Sequence, residues 1–130
     1  MDASTATRAL AGLRIAVGAG AYATPALAGT LFGLEPKRNP QAPYLARLFG
    51  VRDVALAGGT LASSGAERRT WLLAGLACDV ADAAAALLGH REGHLSGPIA
   101  ALLATPALAA IALGAIALQG ADDDVLATSA

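Results

Sequence analysis

An all-α fold, a four-transmembrane-helix antiparallel bundle, is what this sequence predicts, and three observations point to it. The chain is 55% hydrophobic and only 15% charged over 130 residues, whereas a water-soluble domain carries about 25% charged residues. Its apolar mass, with a mean hydropathy of +0.55, is gathered into four blocks, each near the ~20 residues needed to cross a bilayer as a helix. The joints between blocks are short, polar and rich in helix-breaking residues.

The first block covers residues 7–32 and contains Pro25, which removes a backbone hydrogen bond and should bend the helix. The part after Pro25 is expected to lie along the interface rather than continue the span. Arg8, Arg14 and the apolar stretch from Ile15 resemble a targeting segment, but a first membrane span explains them as well. The joint Gly33 to Pro40 carries two prolines and three charges, and no helix passes through it. The second block covers residues 43–61 and the third 70–88, with Ser63 to Arg69 as a polar hairpin between them. The fourth, 98–118, has no charge and is preceded by Ser96 and Pro98, residues suited to a helix start. Short joints make successive helices antiparallel neighbours. Residues 1–120 thus form one four-helix transmembrane domain, and 121–130, with Asp122, Asp123 and Asp124, an acidic disordered tail.

Arg47, Arg52, Asp53, Asp79 and Asp82 fall inside the second and third blocks. A charge at membrane depth costs at least ~2.5–3.5 kcal/mol, so such residues face the protein interior and pair. A hairpin turning near Ala66 sets Arg52 and Asp53 at the depth of Asp79. The expected structural ion pairs are therefore Arg52 with Asp79 and, less directly, Arg47 with Asp82. Asp53, beside Asp79, is the candidate proton carrier. As catalytic candidates, Asp53, Asp79 and Asp82 supply acid/base groups, with Arg52 adjusting their charge.

Other features carry less chemistry. His90 and His94 flank Glu92 in a glycine-containing turn without metalloprotease spacing, so no metal site is expected. The glycines near Gly18 follow no strand and form no nucleotide-binding fingerprint, and no cofactor is expected. Cys78 lacks an intrachain partner, and its neighbour Asp79 opposes thiolate formation. Trp71 and Tyr44 sit at block ends as interfacial anchors. A net charge of −1 provides no basic face for nucleic acid.

The stretches Phe32-Gly33-Leu34 and Tyr44-Leu45-Ala46-Arg47-Leu48-Phe49-Gly50-Val51-Arg52-Asp53, with the proline-containing loop between them, resemble a group of small actinobacterial four-helix integral membrane proteins. These are similar in layout to DoxX-like proteins. The resemblance covers about residues 8–120 and is carried mainly by residues 47–53. It implies four helices in a bacterial inner membrane and brings no agreed activity or catalytic residues.

The reading that follows is a small accessory or scaffold protein of the bacterial plasma membrane. It would be multi-pass, with the Arg/Asp network as a structural latch. The alternatives are a membrane-embedded enzyme acting on a lipid or isoprenoid-like substrate, or a small proton-coupled carrier. Expected partners are membrane lipids and a homo-oligomer or larger membrane complex. Arg8, Arg14, Arg68 and Arg69 near the terminal side favour cytoplasmic termini. An enzyme or carrier needs a cavity reaching the charges; a latch needs them packed shut.

Overall fold

A computed structural model of the protein describes residues 1–35 and 37–128. Five helices follow one another among the described residues: α1 (Ala3–Ala23), α2 (Pro25–Leu31), α3 (Ala42–Ala62), α4 (Gly65–Arg91) and α5 (Gly97–Thr128). No strand occurs among the described residues.

Local chemistry sets the ends of these helices. Asp2 caps α1: its Oδ1 accepts from the Thr5 N–H at 2.8 Å. Pro25 ends the α1 direction and opens α2 as its first residue. The two axes differ by 117°, so the segment after Pro25 does turn aside. Gly33 at φ +70° closes α2, with the Leu34 N–H donating to the Gly29 carbonyl at 2.8 Å. Gly93 at φ +78° closes α4 in the same way, the His94 N–H donating to the Gly89 carbonyl at 2.9 Å. The α3–α4 turn is tighter than expected and occupies only Ser63 and Ser64; Glu67, Arg68 and Arg69 already belong to α4.

Each of the four long helices touches two others in a closed ring: α1 on α3 and α5, α4 on α5 and, more lightly, α3. Helix α2 lies on α3 and α1. Close approach between α1 and α3 depends on Gly18 and Gly50. A Cβ at Gly18 would stand 2.7 Å from the Gly50 carbonyl oxygen, and one at Gly50 would collide with the Gly18 carbonyl. Small residues at a helix crossing let backbones meet in this way. Trp71 packs its indole over Gly59 and closes the α3–α4 hairpin.

Residue size is distributed inside out relative to a water-soluble protein. The core is largely alanine: Ala6, Ala110, Ala117 and Ala121 surround Leu10 and Leu72. Leu48, Val51, Val54, Leu73, Val80, Leu87, Leu102 and Leu108 lie on the outside. Small residues and charges within, large aliphatics without, is the arrangement that a hydrocarbon surrounding favours.

Helix α4 and the stretch Gly97–Asp122 are each long and apolar enough to cross a membrane, and a third crossing results if α1 and α2 count as one bent span. Helix α3 is long enough at 21 residues but does not qualify, because it carries Arg47, Arg52 and Asp53.

The acidic segment departs from expectation. Helix α5 continues to Thr128 where a disordered tail from residue 121 was expected. Two contacts hold its start: Ala121 is buried in the alanine core, and Arg69 Nε donates to Asp122 Oδ1 at 2.6 Å. Ser129 and Ala130 lie outside the described residues.

Candidate functional site

Five charges meet at mid-depth in an alternating chain: Asp79, Arg14, Asp53, Arg52, Asp82. Arg14 comes from α1, Arg52 and Asp53 from α3, Asp79 and Asp82 from α4. Arg14 Nη2 donates to Asp79 Oδ2 at 2.6 Å, and Arg14 Nη1 stands 3.9 Å from Asp53 Oδ1. Arg52 Nη2 donates to Asp53 Oδ1 at 3.2 Å. The chain ends in a bidentate pair, Arg52 Nη1 to Asp82 Oδ1 at 3.0 Å and Nη2 to Asp82 Oδ2 at 2.6 Å.

The pairing expected from the hairpin register is therefore corrected. Arg52 pairs with Asp82 and Asp53 instead of Asp79, because Arg14 enters from α1 and takes Asp79. Neighbours Arg52 and Asp53 point about 100° apart on their helix. Asp53 turns inward and is 6% exposed, while the Arg52 side chain sits on the flank at 33%. Asp79 and Asp82, three apart on α4, divide in the same manner. Arg47 is not an ion-pair partner of Asp82. Its Nε reaches the Tyr22 carbonyl at 3.4 Å, near the end of α1, where helix carbonyls lack intrahelical donors.

Sequence reasoning missed Arg14 by counting it with the charges of the chain's terminal end. The signal was present: three carboxylates inside apolar blocks faced Arg52 and an Arg47 near the end of its block, which left one carboxylate without a cation. Gly75 is its structural counterpart. A Cβ there would lie 2.6 Å from Arg14 Nη2, so the glycine makes room for the guanidinium. Moving Arg14 inside also removes the basic excess behind the terminal orientation. One end keeps Arg8, Arg68 and Arg69; the other has Lys37, Arg38, Arg91 and Arg47.

The two ends of the chain of charges differ in access. Arg14, Asp53 and Asp79 border a void of about 40 Å³, of a size to hold water, together with Phe49, Asp82, Leu103 and Pro106. Arg14 Nη1 is buried without a hydrogen-bond acceptor among the protein atoms. Above this void lies a partly open cavity of about 480 Å³. Its walls are mainly apolar, from Phe32, Leu34, Leu45, Leu95, Leu103 and a set of alanines, and α2 and the loop after it form its roof. Asp82, Phe49, Leu103 and Pro106 line both spaces. The Phe49 ring also holds the Arg52 guanidinium, 4.5 Å from its centroid, by a cation–π contact.

No metal-binding cluster occurs among the described residues. His90, in the last turn of α4, bonds to the Leu95 carbonyl, and His94 pairs with Glu92 in the exposed α4–α5 turn. Set against protein-family models, curated proteins and solved structures, the chain matches none of them.

Proposed function

We propose that this chain is a small integral membrane protein of the bacterial plasma membrane, with four membrane-crossing segments locked in register by Arg14, acting as an accessory or scaffold subunit. The observation that carries the reading is the Arg14 guanidinium. It is 3% exposed and joins α1 to Asp53 of α3 and Asp79 of α4. A closed, shared ion pair of this kind specifies helix register more than it adds net stability. Helix α3 serves as the fourth crossing because its Asp53 is buried and its outer face presents Leu48, Val51 and Val54. The DoxX-like layout read from residues 32–53 belongs to this proposal and implies no activity.

The test is extraction. The protein should sediment with membranes, resist carbonate washing and require detergent for release. A stable, monodisperse protein in the detergent-free soluble fraction would end the reading.

One observation favours a second reading, a ligand-handling membrane protein in the class of the enzyme or carrier alternatives. The 480 Å³ cavity reaches Asp82. Asp53 and Asp79 border only the small void, so Asp82 is the carboxylate a ligand would meet first.

A further inference from the structure

We infer that the cavity beneath α2 is a binding site for a compact apolar molecule bearing one protonated amine, with Asp82 as the acceptor for the ammonium group. The inference rests on the membrane reading above and goes beyond its structural role.

Shape and charge argue together. A mainly apolar cavity of a few hundred Å³ with few polar groups is the usual form of a small-molecule site. Among the described residues, the charged side chains at its walls are Asp82 and Glu35, both acidic, and Asn39 adds an amide. Glu35 is exposed and already paired with Arg38 at 2.9 Å. Asp82 is set deeper, with its side chain 28% exposed. No lysine or arginine is among the lining residues, so a fatty acid, a phosphate or an isoprenoid diphosphate finds no partner there.

The chain of charges then selects the sign of the ligand. It holds three carboxylates against two guanidiniums and begins and ends on a carboxylate. The deep carboxylate, Asp79, is closed off beside Arg14; the shallow one, Asp82, opens on the cavity. A low-dielectric region with one excess negative charge favours a single positive one. Both Asp82 oxygens accept from Arg52, but each carboxylate oxygen carries a second lone pair that an ammonium N–H can reach. The apolar walls would take the hydrocarbon body.

The experiment uses the full chain in lipid nanodiscs and an isosteric set of probes: 1-aminoadamantane, 1-adamantanol and 1-adamantanecarboxylate. Equilibrium binding is measured with empty discs subtracted. The amine should bind saturably, one per chain, and about 10- to 100-fold more tightly than the carboxylate or the alcohol, the range set by a hydrogen bond to a charged group. Asp82→Asn should lose a similar factor. Ala85→Phe, one turn along the same face of α4 and within the cavity wall, should abolish binding while leaving every charge in place. It therefore decides the matter if Asp82→Asn fails to fold. Absence of saturable amine binding by correctly inserted protein would overturn the inference. So would equal binding of all three probes, or full binding by Ala85→Phe. Failure to insert into discs at all would instead count against the membrane reading.

Discussion

The Arg14–Asp79 and Arg52–Asp82 pairs are made of the same two side-chain types and share a 2.6 Å contact, yet they sit in different surroundings. The first joins two helices at a point where both side chains are under a tenth exposed, and Gly75 is present to admit the guanidinium. In the second, Asp82 lines the cavity, and about a third of each side chain is open. Burial strengthens Coulomb attraction and raises the cost of losing one partner, whereas an open pair can be replaced by solvent or a ligand. One motif thus yields a closed latch at one end of the charge chain and a reachable acceptor at the other.

The comparison breaks most sharply at Arg14. Arg14→Leu strands Asp79 and leaves Asp53 with Arg52 alone, and it should destabilise the protein by about 3–5 kcal/mol in detergent thermal unfolding. Arg14→Leu with Asp79→Leu should recover most of that loss, since removing both charges leaves no uncompensated ion. A double variant no more stable than the single one would show that the pair is not the unit that matters.

The sequence made part of this legible and hid the rest for physical reasons. All four apolar blocks became long helices, because block length and the proline- and glycine-bearing joints are local properties. The turn aside at Pro25 was legible because a proline cannot donate its backbone N–H. Asp53, Asp79, Asp82 and Arg52 were singled out as charges inside apolar blocks, and the structure brings all of them together. Their partners were not legible from one hairpin. The assumed turn at Ala66 lay too late, since Ser63 and Ser64 alone reverse the chain. More decisively, α3 packs mainly on α1 and α4 mainly on α5, so a third helix supplies the bridging arginine. The cavity depends on the bend of α2 away from α1 and on the loop after it, a tertiary feature with no periodic signature. The helical course through Asp122 also needed tertiary information, an arginine on α4 that meets it.

A middle-sized effect sharpens the comparison from the side of packing. Gly50→Val puts a branched side chain where α1 backbone already lies, at the Gly18 crossing beside Asp53. Overpacking should cost roughly 1–3 kcal/mol and move Asp53 away from Arg14 without touching a charge. Thermal unfolding should fall accordingly, and a variant as stable as the parent would mean that the close α1–α3 approach does not set the latch.

The smallest effect lies at the chain's start, outside both pairs. The Thr5 backbone N–H, followed by its hydroxyl, holds the Asp2 carboxyl below the ordinary carboxylate range. A depressed folded-state pKa contributes stability that is present above the unfolded value and lost as pH falls through the folded one. The first turn of α1 should therefore loosen only in acid. The Thr5 amide resonance should report it, shifting as pH drops below the usual aspartate range, and Asp2→Ala should remove the transition.

The most direct test of the account is a pair of double-mutant cycles on thermal stability in one detergent, Arg14/Asp79 against Arg52/Asp82, each residue replaced by leucine. The cycle isolates the coupling between partners. The closed pair should show a coupling of several kcal/mol, of the order of 3–5, and the open pair about 1 kcal/mol or less. Equal couplings, or a larger one for Arg52 and Asp82, would contradict the division into latch and acceptor.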